Sequence, residues 1–269
     1  MHRPITVDDL RSGGRLARLG SRCLLFPQID STNGYLLSRS AELEDGTIAF
    51  AELQTAGRGR LGRRWLAPRG SSILLSVLLR ERRDSPLVAR DTGAPLASLA
   101  AAVAACEAIE SCCRCSPMLR WPNDVVVGGR KLGGVLAEST PLGSHGDMRA
   151  LVIGIGINCL QHAGHFDASL AESATSLEIE CSHAVDRAAL TGALVVRLDE
   201  RLASSQVACD ALQAWRQRCD DVGRGVTLDH DGHRYTGTVV EIDDHGDLVV
   251  ELLNGGRRCF ASATTARSW

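Results

Sequence analysis

The chain has 269 residues, which suits one large domain or a main domain with a small satellite. A hydrophobic fraction of 44% and a charged fraction of 23% exclude intrinsic disorder and fibrous repeats. Thirty Lys and Arg against thirty-two Asp and Glu leave a net charge of −2, so any polyanion site has to be local.

In chain order, residues 1–20 are polar and carry glycines, and residues 22–29 read as a first strand. Fewer than about 30 residues thus precede the fold, too few for an independent DNA-binding domain. Ser31-Thr32-Asn33 is a helix-start signal, because a side-chain oxygen there can accept an orphan amide of the first turn. Tyr35, Leu36, Leu37 and Leu43 supply its apolar face, and Asp45-Gly46 ends it. Residues 47–54 read as a strand, 55–70 as a Gly- and Arg-rich loop exposed at one sheet edge, and 71–79 as a nearly continuous apolar strand.

Residues 95–111 are Ala-rich and apolar all round, which predicts a helix packed flat against the sheet. Segments 118–121, 124–127, 132–138 and 150–158 are short strands broken by turn signals, so the sheet is mixed rather than strictly βαβ. Helical periodicity covers 185–203 and 207–219, and from 222 to 260 the pattern switches to short β segments. A boundary near Asp220 to Gly223 leaves a small C-terminal β-barrel that leans on the main domain for stability.

Ten cysteines do not imply a disulfide framework in a chain this long, and no apolar signal core precedes them, which points to a reduced cytoplasmic setting. Cys112-Cys113-Arg114-Cys115 has one C-x-x-C spacing but no second pair to close a zinc site, so no metal site is expected. No apolar run reaches the roughly 18 residues of a membrane span.

The chemistry concentrates in four places. Gln54-Thr55-Ala56-Gly57-Arg58-Gly59-Arg60-Leu61-Gly62-Arg63-Arg64-Trp65 combines glycines that leave backbone amides accessible with clustered arginines, and no acid occurs from Gly57 to Gly70. A phosphate-bearing ligand is its natural guest, with Trp65 as a stacking face; a mobile basic surface loop is the plainer alternative. Arg120-Trp121-Pro122-Asn123-Asp124 places two polar residues after a stiff dipeptide, a turn or Asx cap being equally open for Asn123 and Asp124. Lys131-Leu132-Gly133-Gly134-Val135-Leu136-Ala137-Glu138 sets a point charge before a Gly pair that lets a ligand approach the strand. Gly154-Ile155-Gly156-Ile157-Asn158 adds two glycines to an apolar strand, which close strand packing would explain as well.

In this order the motifs resemble those of the biotin–protein ligases, strongly from about Ser31 to Asn158 and weakly beyond. The resemblance implies an α+β fold: a central mixed β-sheet flanked by helices, of the class II synthetase-like or lipoate ligase-like kind, with a small SH3-like β-barrel at the C-terminus. Residues 1–221 would be the catalytic biotin/ATP-binding domain and 222–269 the barrel. It implies an enzyme that makes biotinyl-5′-AMP from biotin and ATP with Mg2+, then passes biotin to a lysine of a carrier domain. The expected partner is the biotin carboxyl carrier protein of acetyl-CoA carboxylase.

By the same resemblance Lys131, Arg60 and Asp124 are the catalytic groups. Ser31, Thr32, Asn33, Gln54, Arg58, Gly59, Arg60, Lys131, Gly133 and Gly134 contact biotin, and Arg60, Arg63, Trp65, Asn123, Lys131 and Asn158 contact the nucleotide. Two positions depart from the family pattern: Arg120 stands where lysine is usual, and Leu61 where a basic residue is frequent. The resemblance also implies sheet-extension dimers, and the short N-terminus a ligase without DNA binding. A lipoate or octanoate transferase of the same superfamily and a non-catalytic nucleic-acid-binding module are the competing readings.

Overall fold

The computed structural model describes residues 3–88, 95–143, 147–204, 206–262 and 264–267. A short helix, α1 (Val7–Arg11), opens the chain where no element was expected. Its start is a capping box, in which Thr6 Oγ1 accepts the Asp9 amide and the Asp9 carboxylate accepts the Thr6 amide. Strand β1 (Cys23–Phe26), helix α2 (Thr32–Ser38) and strand β2 (Thr47–Ala51) follow. Next come β3 (Ser72–Arg82), α3 (Pro95–Cys112), β4 (Met118–Arg120), β5 (Asp124–Val127), β6 (Arg130–Leu142) and β7 (Met148–Asn158).

These strands form one seven-stranded sheet in the order β1-β2-β3-β7-β6-β5-β4. Only β1 and β2 pair in parallel, so the sheet is mixed, as expected. Because side chains alternate along a strand, β3 and β7 each serve two purposes. Ile73, Leu75, Val77 and Leu79 of β3, with Leu151, Ile153, Ile155 and Ile157 of β7, join the core beneath α3. Leu74, Ser76, Gly154, Gly156 and Asn158 face the other side and line a cavity. The alanines of α3 are fully buried and small, so the helix lies close to the sheet while α5 (Arg187–Ala203) and α6 (Val207–Gln217) cover its back. The one-turn helix α4 (Leu177–Glu180) precedes α5 and went unread in the sequence.

The loop between β2 and β3 does not lie at a sheet edge. Both strands are interior, so the loop rises from their ends and crosses the cavity face. The C-terminal region is a second, antiparallel sheet of β8 (Gly225–His230), β9 (His233–Ile242), β10 (Leu248–Leu252), β11 (Arg257–Phe260) and β12 (Thr265–Arg267). Its order is β11-β10-β9-β8-β12, and no pairing of β11 with β12 closes it among the described residues. The expected barrel is thus an unclosed five-stranded sheet, and β12 lies past the end of the expected β region.

The second sheet leans on the first through a buried junction. Asp221 is wholly buried, accepts the Trp121 amide at 2.6 Å and pairs with Arg267 of β12. The Trp121 indole, also buried, donates to the Gly246 carbonyl at 3.0 Å. Removing the carboxylate takes the acceptor from the buried Trp121 amide and the ion-pair partner Asp221 from Arg267, so Asp221→Ala should cost roughly 3–5 kcal/mol of stability. Urea unfolding followed by tryptophan fluorescence measures it; a loss below about 1 kcal/mol would show that the junction does not hold the sheets together.

Candidate active site

The cavity has a volume of about 720 Å³ and opens on the sheet face opposite α3. Its floor is glycine because nothing else fits. A Cβ on Gly156 would sit 2.7 Å from the Trp65 ring, and one on Gly154 would sit 2.1 Å from Asn33 Oδ1. The two glycines, one strand period apart, are therefore the seats of two side chains from different segments. Gly134 lines the same face, whereas its neighbour Gly133 pairs with Ile157 and turns toward the helix side. The expected biotin contact at Gly133 is thus placed behind the cavity.

One end of the cavity is polar and built by the start of α2. Ser31 is the N-cap and accepts the Gly34 amide, while the Thr32 amide donates to Gln54 Oε1 at 2.7 Å. Thr32 Oγ1 touches Ser76 Oγ at 2.6 Å. The polar atoms of Asn33 are all engaged: Oδ1 accepts from Ser76, and Nδ2 donates to the Leu136 carbonyl and Glu138. Ser76 and Glu138 were not anticipated as site residues. A lone serine in the apolar run of β3 is the signal that could have found the first, and Glu138 closes a motif in which it had no role.

The arginine-rich segment is folded into a tight hairpin. Gly59 N–H donates to Arg63 O at 2.8 Å, Trp65 N–H to Gly57 O at 2.9 Å, and Arg58 bridges Arg64. Leu61 takes a left-handed φ of 53° at the tip, followed by Gly62 at 74°. Arg58 pairs with Glu138, and Arg60 donates to the carbonyls of Ser262 and Thr265. Arg63 donates to the Arg267 carbonyl at 3.3 Å, so the hairpin is tied to the second sheet on one side and to β6 on the other. Burial depresses the Arg60 pKa below the ordinary arginine range, with Asp124 acting the other way and Arg63 adding to the depression.

At the centre, Lys131 Nζ lies 2.6 Å from Asp124 Oδ1 and 5.8 Å from the Trp65 ring centroid. Asp124 is buried and Lys131 half-buried, so the pair stands at the cavity wall. Asn123 donates to the Val135 carbonyl, and Asn158 donates to the Thr175 carbonyl at 3.0 Å while accepting from Gln161 at 2.9 Å. Both asparagines shape the walls through these bonds. Residues His165, Phe166 and Leu170, beyond the last motif, also line the cavity. Six cationic side chains line it, Arg58, Arg60, Arg63, Arg64, Lys131 and Arg267, against the carboxylates Asp124 and Asp167. In a chain of net charge −2, that excess marks an anion site.

The cysteine cluster lies apart from this cavity. Burial pushes the Cys113 thiol up to about 12 and Cys115 up to about 11, which leaves them protonated and unreactive at neutral pH. No group of three or more His, Cys, Asp or Glu side chains that could hold a metal occurs among the described residues.

Comparison with known proteins gives the class first: the chain is a protein ligase. It belongs to the Biotin/lipoate A/B protein ligase family, whose model matches residues 25–158. It is 35% identical to the Biotin--[acetyl-CoA-carboxylase] ligase of Mycobacterium tuberculosis, over 88% of this chain and 85% of that protein. It is 32% identical to the Bifunctional ligase/repressor BirA of Escherichia coli, over 86% of this chain and 70% of that one. The biotin protein ligase of Aquifex aeolicus, solved in complex with biotin and ATP, shares the fold with a TM-score of 0.74. That similarity covers 93% of this chain and 100% of the other at 24% identity.

Gly156→Ala should expel Trp65 from its seat and loosen the hairpin. Trypsin should then cut within residues 58–64 at least about tenfold faster than in wild type, as a local opening of over 1 kcal/mol requires; unchanged cleavage would separate the seat from the hairpin. Iodoacetamide at pH 8, followed by mass spectrometry, should modify exposed Cys209 at least about tenfold faster than Cys113.

Proposed function

We propose that the chain is an ATP-dependent biotin protein ligase that forms biotinyl-5′-AMP and then transfers biotin to a specific lysine of a biotin carboxyl carrier protein. The observation that carries this reading is the position of Lys131. It stands between a polar-ended pocket floored by glycines and a hairpin of arginines, at the one point where a carboxylate and a polyphosphate would meet. The family membership and the named biotin ligases among its relatives support it.

In this reading Ser31, Thr32 and Gln54 meet the biotin ring, with Asn33 held behind them. The acyl tail runs over Gly134 toward Lys131 beneath Arg58 and Gly59. The nucleotide lies along Trp65, Arg60, Arg63, Asn123 and Asn158. In the first step a carboxylate oxygen of biotin attacks the α-phosphorus and pyrophosphate leaves. Two like charges about 4 Å apart repel by about 4 kcal/mol at an effective dielectric of about 20, so cations between them lower the barrier. Lys131, held by Asp124, provides such a charge to both reactants at once, and Arg60 and Arg63 stabilise the phosphates. In the second step the carrier amine attacks the acyl carbonyl, the bond to AMP breaks, and the amine loses its proton. The hairpin excludes water from the mixed anhydride between the two steps.

Mg2+ belongs to this reading as a companion of the triphosphate. Among the described residues the cavity offers only Asp124 and Asp167 as carboxylates, which fits an ion held mainly by phosphate oxygens and water. When bound it would neutralise phosphate charge. Residues 1–221 form the catalytic unit and 222–269 a flanking wall. The carrier is that of acetyl-CoA carboxylase, and edge strand β1 is where a second copy would extend the sheet into a homodimer.

Radiolabelled biotin with ATP should label a purified carrier domain and release pyrophosphate; labelling by lipoate alone would overturn the assignment. Lys131→Ala should lower biotin-dependent pyrophosphate release about a thousandfold, at the upper end for a single charge stabilising a transition state. Arg60→Gly should release biotinyl-5′-AMP, seen as biotin on bystander lysines, whereas tighter retention would show that the hairpin is not the cover.

A further inference from the structure

Among its 269 residues the chain has one lysine, Lys131, against twenty-nine arginines. Lysine is among the commonest residues of soluble proteins, so its near-exclusion is a strong departure from ordinary composition. The difference between the two cations is chemical as well as geometric. An ε-amine that loses its proton is a nucleophile that forms a stable amide, whereas a guanidinium stays protonated at neutral pH and does not acylate. The inference drawn here rests on the reading of this cavity as an adenylation site, because a mixed anhydride such as biotinyl-5′-AMP acylates any free amine within reach.

The one ε-amine in the chain stands where that exposure is greatest. A Cβ on Gly134 would lie 3.5 Å from Lys131 Nζ and 3.4 Å from Asp124 Oδ1. The gap over Gly134, along which the acyl tail runs, is thus bounded by both side chains. A neutral Nζ there would attack the acyl carbon. The N–C bond forms, the C–O bond to AMP breaks with its electron pair leaving on AMP, and the nitrogen sheds one proton. The product is an amide on Lys131 and an enzyme without its bridging charge. Such an attack is intramolecular, with an effective concentration of about 10⁵ M or more in well-oriented cases, so no carrier could compete with it.

The proton on Nζ prevents this. Nζ lies 2.6 Å from Asp124 Oδ1 and 5.8 Å from the Trp65 ring centroid, and both carboxylate and ring attract an ammonium, which has no lone pair to give. Arg58, Arg60, Arg63, Arg64 and Arg267 line the same cavity and repel it, and Asp167 is the only other carboxylate there among the described residues.

We propose that Asp124 is a positioning residue that protects the enzyme from its own product: by holding the single ε-amine as an ammonium, it lets Lys131 touch the mixed anhydride without being acylated. The rest of the chain is protected by composition, since no other side chain carries a primary amine.

The test incubates the full chain with synthetic biotinyl-5′-AMP and no carrier. Biotin on Lys131 is followed by mass spectrometry of the intact chain and of its peptides, which sets aside any label on the α-amine. Wild type should stay unlabelled at Lys131. Asp124→Asn keeps the size of the side chain and removes its charge, and should label Lys131 at least about tenfold faster, the smallest effect expected when a charged partner is lost. Asp124→Glu keeps the carboxylate and should remain protected; labelling as fast as in Asp124→Asn would assign the effect to packing and overturn the proposal. Asp124→Ser decides the matter if Asp124→Asn does not fold. A folded variant without the carboxylate that stays unlabelled overturns the proposal, as does a wild type labelled at the same rate. Transfer from the same adenylate to a purified carrier domain is run alongside, and a wild type that gives none overturns the functional reading instead.

Discussion

The rest of the site depends on the two-residue period of β7. Odd positions carry Leu and Ile into the core under α3, and even positions must then face the opposite side, where Gly154 and Gly156 leave room. Those two missing side chains admit Asn33 and the Trp65 ring. Without the space at Gly156, Trp65 could not anchor the hairpin; without that at Gly154, Asn33 could not link α2 to Glu138. A shift of one residue in the pairing of β3 with β7 would exchange core and cavity faces, so core packing and site geometry are set by one register.

Charge is the second organising constraint. The chain is nearly neutral overall, yet five arginines fall between Gly57 and Gly70 with no acid among them. Such a cluster repels itself, and the structure offsets this with fixed partners. Glu138 pairs with Arg58, main-chain carbonyls of the second sheet accept from Arg60 and Arg63, and Asp124 holds Lys131. Backbone carbonyls carry partial charge only, so Arg60 and Arg63 retain most of their positive field for a ligand. The second sheet therefore forms part of the cavity wall, with Ala266 and Arg267 lining it, and Asp221 fastens that wall to the Trp-Pro loop.

Much of this was legible in the chain itself. The Ser31 cap, the apolar runs of β3 and β7, the Ala-rich α3 and the Gly-Arg loop each have a local cause, so local patterns announced them. The misses have causes too. Helix α1 is one turn of weak periodicity among glycines, and β12 is three residues that pair only because β8 is beside them. Gly133 and Gly134 are indistinguishable in sequence, and the register of β6 on β7 alone decides which one faces the cavity. Glu138 was visible as part of a motif, but its partners lie 80 and 105 residues away.

By itself the sequence determined the longer elements, the order of the site motifs and the excess of positive charge on one loop, because period, capping and composition are local properties. Only the tertiary structure decided which faces meet and where the hairpin lies. It alone decided that Ser76 and Glu138 complete the pocket and that the C-terminal sheet walls it. These are contacts between distant segments, and the register and packing that create them are energies of the whole fold.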